Sequence, residues 1–421
     1  MINFKRQDQM INTPFYNVNS EVGKLESVLL HRPGKELERL TPQYLEELLF
    51  DDIPWLGRMQ EEHDMFADAL RQRGCKVYYY DKLLEEILKD ANVKKELVQE
   101  LVVFSGIDRL KEKDAILEHL LSRSPSALTE ILIAGLHKSE ISYREDHRSL
   151  SYYIADDYPF YINPLPNLYF TRDPGSVIGN GISINSMKTF ARSREPMILS
   201  FINRFHREIN TGDIPQWYDY HQSESIEGGD ILVLSKTVLA IGCSARTSAV
   251  AIEKIAENLF RSGSSIEEIL VIQIPFKRAY MHLDTVFTMI DRDKFTIFPG
   301  IEGDIKVFSL KNPSRKEGGL KISHRGDLNK ALSKALKLNQ VLIIPSGGGD
   351  KITAAREQWN DSTNTLAISP GTVVTYRRNT ASNDSLRKNG VEVVEIEGSE
   401  LVRGRGGPRC MSMPLKRNDI E

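Results

Sequence analysis

One order of elements recurs along this 421-residue chain and limits its possible folds more than any other feature. Residues 230–242 predict two apolar strands meeting near Ser235 and Lys236. Residues 248–262 then set Ala251, Ile255, Leu259 and Phe260 at helical spacing, with Gly263 as a stop. A β-rich run from 269 to 275 closes the unit. The same order is predicted over 176–221, with helix 195–208 and strand 215–220. It returns over 284–345, with paired strands in 284–299, helix 327–337 and strand 340–345. It returns again over 364–396, with strands around Leu366 and Val373, a helix near 381–389 and a strand at 391–396. The first copy is 24–80, with strand 25–30, helix 57–73 and strand 76–80.

Units of this kind cannot bury their own apolar faces alone and must pack against their neighbours. Five of them, with helices between strands, fit a closed, radially arranged α/β ring. The same order also fits an ordinary mixed α/β sheet. Residues 82–149 break the scheme. Leu83, Leu84, Ile87 and Leu88, then Leu97, Leu101 and Val102, then Ile116, Leu117, Leu120 and Leu121, then Leu128, Ile131 and Leu132 keep helical periodicity. Ser124-Pro125-Ser126 reads as a helix break and restart. The segment predicts a helical bundle inserted in the first unit, suited to packing, a lid or oligomer contact.

Composition narrows the function classes. At 40% hydrophobic the chain can bury a large core, and its length by itself allows about two or three domains. A net charge of −3 with 27% charged residues gives no basic excess for a nucleic-acid surface. Cys75, Cys243 and Cys410 are far apart, which argues against a disulfide framework or a structural zinc site. No apolar run reaches the length of about 18 residues that a membrane helix needs. The first ten residues lack the apolar core of a signal peptide, so a cytoplasmic protein is expected.

Four segments could carry chemistry, each at a predicted strand end or loop. In 167–175, Arg172-Asp173 precedes Pro174-Gly175 and reads either as a turn with a local ion pair or as site groups. In Glu227-Gly228-Gly229-Asp230 the carboxylates are either turn caps or site groups. Met281-His282-Leu283-Asp284-Thr285 is predicted to open a strand, which puts His282 and Asp284 on one face. Such a pair suits acid–base work or a structural hydrogen bond. Last, Cys410 follows a segment carrying Arg403, Arg405 and Arg409 with Gly404, Gly406 and Gly407. The arginines would favour a thiolate and the glycines unusual φ angles; a free cysteine in a basic tail is the bland alternative.

Together these segments resemble the arginine deiminase family of the guanidine-modifying superfamily. The resemblance runs end to end: it includes 21–34 (Glu-Val-Gly-Lys-Leu-Glu-Ser-Val-Leu-Leu-His-Arg-Pro-Gly), 49–55 (Leu-Phe-Asp-Asp-Ile-Pro-Trp), all four segments above and the helical insertion. It implies a five-bladed, pseudo-fivefold α/β propeller: a single catalytic unit over 1–421 with 82–149 inserted. It implies hydrolysis of free L-arginine to L-citrulline and ammonia through a covalent amidino-thioether. Cys410 would be the nucleophile, Asp173 and Asp284 the carboxylates clamping the guanidinium, His282 the general acid and base, and Glu227 the carboxylate beside it. Arg192, Arg246 and Arg405, helped by Asn167, would hold the substrate carboxylate, and Phe170 its aliphatic stem. No cofactor or metal is implied, and a homo-oligomer, dimer or tetramer, is expected. Arg194, two residues from Arg192, and Arg409 keep open roles. The competing readings are a dimethylarginine hydrolase, an amidinotransferase, an agmatine deiminase, a peptidyl-arginine deiminase, disfavoured because the sequence has no calcium-type acidic loops, and a silent arginine-binding relative.

Overall fold

The structure, a computed structural model, describes residues 14–107, 110–141, 158–312 and 319–420. Five sheets share one pairing scheme: two antiparallel strands, then a third parallel to the second. Gly175–Ile178, Gly181–Ile184 and Gln216–Tyr218 form one such sheet. Ile231–Ser235, Val238–Cys243 and Glu268–Gln273 form the next. Phe287–Met289, Lys294–Ile297 and Leu342–Pro345 follow, then Leu366–Ser369, Thr372–Tyr376 and Glu392–Ile396. The remaining sheet joins the two ends of the chain. The C-terminal strand Met413–Arg417 runs antiparallel to Leu25–Leu30, which pairs in parallel with Lys76–Tyr79.

In each unit a helix joins the second and third strands, because parallel neighbours need a long crossover. These helices are Leu56–Arg71, Arg194–Phe205, Ala249–Arg261, Leu328–Ala335 and Thr380–Lys388. Ala249–Arg261 shows why they form. Ser248 caps it by accepting the Ala251 N–H, and Ala251, Ile252, Ile255, Ala256 and Leu259 line one buried face. Full burial of each large aliphatic side chain there contributes about 1.5–3 kcal/mol.

The fold departs from the sequence expectations in three places. The strand expected from Met281 begins at Phe287; His282 is extended and Leu283–Thr285 is a single 3₁₀ turn. Asp230 accepts the Leu283 N–H over 2.8 Å, a tertiary bond that a local pattern does not reveal. Second, Lys306–Lys311 and Lys321–His324 extend the preceding sheet through Glu268–Gln273. Third, a further helix, Lys351–Gln358, precedes the fifth unit.

Between Lys76–Tyr79 and the short strand Leu136–His137 lie the helices Tyr80–Ile87, Ala91–Phe104, Leu110–Leu121 and Pro125–Ala134. Ser124 caps the last of these, with Pro125 in its first turn. Leu84, Leu97, Leu101 and Leu132 share a buried cluster with Ile198 and Phe201 of Arg194–Phe205. Of the segment expected to be helical, residues 108–109 and 142–149 lie outside the described residues. No described helix is long and apolar enough to cross a membrane.

Candidate active site

Loops at the sheet ends bring the four singled-out segments together. An inner cavity of about 30 Å³ is lined by Asn167, Phe170, Asp173, Arg192, Arg246, His282, Arg405 and Cys410, with Leu49, Met281 and Gly404. It adjoins an outer vestibule of about 650 Å³, which shares Leu49, Arg246, Met281, Gly404 and Arg405 and adds Trp359. Glu227 and Asp284 stand directly behind the inner wall. A cavity of about 420 Å³ elsewhere, at Asn19, Lys236 and Arg292, contains none of these residues. Converging titratable groups, rather than size, distinguish the site.

Cys410 is 4% exposed, and its Sγ lies 3.7 Å from Asp284 Oδ2. Like Cys75 and Cys243, it is a free cysteine. The arginines near it in sequence do not turn it into a resting thiolate. Arg403 faces Asp52 and Glu400 at the surface, and Arg405 stacks on Trp359, 3.5 Å from the ring centroid. Burial, with Asp284, Asp173 and Asp361, pushes the thiol well above its usual range; Arg409 alone opposes this. The neighbouring glycines also act differently from expectation. Arg405, not a glycine, adopts the left-handed conformation, at φ +64°. Gly406 is needed for close approach, since a Cβ there would lie 2.2 Å from Phe170 Cε1.

His282 and its carboxylates form a tight group. His282 Nε2 lies 2.7 Å from Glu227 Oε2, and Nδ1 lies 3.8 Å from Asp173 Oδ1. Burial opposes the imidazolium, but Asp173, Glu227 and Asp230 outweigh it and hold the pKa up at about 9. Burial likewise opposes the Glu227 anion, yet the His282 hydrogen bond, Arg246 and Arg192 keep its carboxyl well below the usual range. The imidazole therefore rests protonated between two anions. Asp173, Glu227 and His282 also offer ligand atoms within 4.8 Å of one another, as a metal ion would need. Those atoms already face each other or the guanidinium of Arg192, so an entering cation would compete with existing pairs.

Asp173 Oδ1 accepts the Gly229 N–H over 3.2 Å, and Oδ2 accepts from Arg192 Nη1 over 2.6 Å. Arg192 is held from behind by Glu195, at 2.9 Å and 2.7 Å, and Nη2 also reaches the carbonyls of Asn167 and Phe170. Its neighbour Arg194 turns away, toward the carbonyls of Leu132 and Asn163. Arg246 enters from another loop, 3.8 Å from Glu227, and its buried Nη1 has no hydrogen-bond partner among the described residues. Arg405 Nε is likewise without one. Asn167 donates Nδ2 to the Leu48 carbonyl over 2.9 Å.

Several residues of this site had no assigned role in the sequence. Arg409 is 1% exposed and donates to Asp284, Glu21 and the Ile231 carbonyl. Asp230 accepts from Leu283 N–H and Ser244 Oγ, fixing the turn that separates His282 from Asp284; burial raises its carboxyl to about 7. Residues 361–365 (Asp-Ser-Thr-Asn-Thr) have loop composition, yet every one is buried. The Glu-Gly-Gly-Asp run could have singled out Asp230; nothing local distinguishes Glu21 or Asn364.

Comparison with known proteins supplies the family. Residues 46–417 match the arginine deiminase family. The chain is 50% identical over 408 residues to a protein named arginine deiminase from Bacillus cereus, covering 96% of this chain and 99% of that one. A protein of the same name from Staphylococcus haemolyticus is 48% identical over 407 residues, covering 96% and 98%. In fold, the N-terminal domain of ArgZ, a cyanobacterial arginine dihydrolase, matches with a TM-score of 0.52 at 11% identity, covering 93% of this chain and 97% of that one. Its fold is a mixed α/β one shared with these proteins, and by sequence the chain belongs to the arginine deiminase family.

Proposed function

We propose that this protein hydrolyses free L-arginine to L-citrulline and ammonia, through an amidino-thioether on Cys410. One observation carries the assignment of residues: Cys410, Asp173 and His282 line a single small cavity, and behind its wall Asp284 lies 3.7 Å from the Cys410 sulfur and Glu227 2.7 Å from His282. A guanidinium carbon is a poor electrophile, so attack requires a thiolate and fixed opposing charge together. Asp173 and Asp284 clamp the planar nitrogens and align the carbon with Sγ. Pairing them with a cation also removes the charges that hold the thiol protonated, which ties ionisation of Cys410 to substrate binding.

The thiolate adds to the guanidinium carbon. The carbon–nitrogen bond to a terminal nitrogen then breaks, with His282 supplying the proton that lets ammonia leave. The neutral imidazole next takes a proton from water, whose oxygen adds to the same carbon. Collapse expels the thiolate, and the hydroxyl proton passes to the released ammonia through solvent, leaving the neutral ureido group of citrulline and ammonium. Sulfur enters and leaves as the anion, so one water is consumed and one ammonia released. Glu227 holds the His282 ring in place throughout.

Arg246 Nη1, Arg405 and Asn167 receive the α-carboxylate. Arg192 joins them once a guanidinium relieves Nη1 of Asp173, and Phe170 lines the stem. In the same reading the five sheets are blades of a five-bladed propeller, residues 1–421 are one catalytic unit, and 82–149 form an insertion. The protein works in the cytoplasm as a dimer or tetramer, without a cofactor.

The test is purified protein with free L-arginine and no added metal. Citrulline and ammonia are expected, with agmatine and methylated arginines reacting poorly. Turnover of agmatine without turnover of arginine would overturn the substrate. Cys410→Ser is expected to abolish turnover while still binding arginine; persisting activity would remove Cys410 as nucleophile.

A further inference from the structure

We propose that Asn364 is a catalytic residue whose side-chain amide grips the Cys410 sulfur and stabilises it as a thiolate. The proposal rests on the assignment of Cys410 as the nucleophile. Asn364 is fully buried two residues before the strand Leu366–Ser369. Its Oδ1 accepts the Cys410 N–H over 2.9 Å. Its Nδ2 donates to Cys410 Sγ over 3.0 Å and to the Asp284 carbonyl over 3.2 Å. The flipped amide would set NH₂ against the Cys410 N–H and Oδ1 against the Asp284 carbonyl. Those two backbone groups therefore fix the orientation, and Nδ2 faces sulfur.

One amide thus holds the nucleophile at both backbone and side chain. Its own place is held independently of Cys410. Gln358 Nε2 and Thr363 Oγ1 both donate to the Thr285 carbonyl, binding this segment to the turn that carries Asp284.

The surrounding charges explain why such a donor matters. The thiol can donate to Asp284, whose oxygens lie 3.7 Å and 3.9 Å from Sγ. Once ionised, sulfur only accepts, so that contact turns repulsive while the Asn364 contact strengthens. Among the described residues, Asn364 is the side chain with an N–H hydrogen-bonded to Sγ. A lysine or arginine at this point would compete with a guanidinium for Asp284. A neutral amide stabilises the anion without doing so.

Asn364→Asp tests this, because it keeps size and the acceptor for Cys410 N–H while setting an oxygen against sulfur. Asn364→Ser, which removes the donor by truncation, is the second variant. Iodoacetamide labelling of Cys410, read by mass spectrometry of its peptide without arginine present, reports thiolate formation against pH. For Asn364→Asp the profile is expected to move upward by about one pH unit or more. Its kcat on L-arginine is expected to fall roughly 100-fold, as when one donor to a developing anion is lost, with KM within about threefold of wild type. Asn364→Ser should move both readouts in the same direction, and it decides the matter if the aspartate variant does not fold. An unshifted labelling profile in a folded variant overturns the proposal, whether kcat is unchanged or lowered. If wild-type protein fails to convert L-arginine, the function assigned above fails, while the labelling profiles still decide the role of Asn364.

Discussion

Arg409 Nη1 donates to Asp284 Oδ2 over 2.7 Å, with both side chains buried, so the residue immediately before the nucleophile neutralises a carboxylate beside it. The same guanidinium is anchored by Glu21 at 3.1 Å and the Ile231 carbonyl at 2.8 Å. Three elements far apart in sequence therefore meet on one cation. Arg409 is also the one cation that lowers the thiol against three carboxylates that raise it. Its open role in the sequence becomes that of a charge-balancing residue between Glu21 and Asp284.

Arg409→Met should leave Glu21 and Asp284 buried without their cation. Breaking a buried pair in this way costs about 3–5 kcal/mol, which urea unfolding measures. Arg409→Lys retains charge, but a single nitrogen cannot span the three acceptors reached by Nε, Nη1 and Nη2, so an intermediate loss is expected. Wild-type stability in the methionine variant would remove the charge-balancing role.

The His282–Glu227 pair predicts a pH window. His282 is raised from 6.5 to about 9, so it carries its proton at neutral pH and loses it as pH rises through about 9. The activity that needs this proton should fall on the alkaline side of about 9, seen in kcat/KM against pH. The stability that His282 contributes is full below 6.5 and is lost between 6.5 and about 9. Glu227 behaves oppositely: its contribution is full above 4.5 and is lost as pH falls toward about 2. The Tm difference between wild type and His282→Gln should therefore shrink from pH 6.5 to 9; a constant difference would contradict it.

Trp359→Ala tests the ring beneath Arg405. The stack lies at the mouth of the site, where Trp359 is 59% exposed, and a cation–π contact there is worth about 0.5–1 kcal/mol. Its loss should raise KM for arginine roughly two- to fivefold with kcat nearly unchanged. A kcat effect with unaltered KM would show that the ring acts on chemistry instead.

Gly406→Ala places a methyl 2.2 Å from Phe170 Cε1 and 2.7 Å from Cζ, inside the wall of the cavity. Relief requires movement of the nucleophile loop or of Phe170. The expected cost is about 1–3 kcal/mol in stability, and kcat/KM should fall at least about tenfold through misplacement of Cys410. Thermal unfolding and steady-state kinetics check the two parts separately.

The repeated strand–strand–helix–strand order was legible because local pattern encodes it: short continuous apolar runs at 231–235 and 238–243 and helical spacing at 249–261 need no tertiary information. Asp173, Glu227, His282, Asp284 and Cys410 were legible as unusual chemistry at loops, and their shared family pattern brought them into one hypothesis. Their charge states were not. Arg403 and Arg405 lie in the same short segment as Cys410, yet the fold sends them to Asp52 and Trp359. Electrostatics depends on distance and burial in space, so the tertiary structure alone decided that the thiol is raised and His282 protonated. It alone also buried the loop-like run 361–365 and turned Asn364 onto sulfur. A polar segment gives no local sign of such a position, because its partners, Thr285 and Cys410, come from elsewhere in the chain.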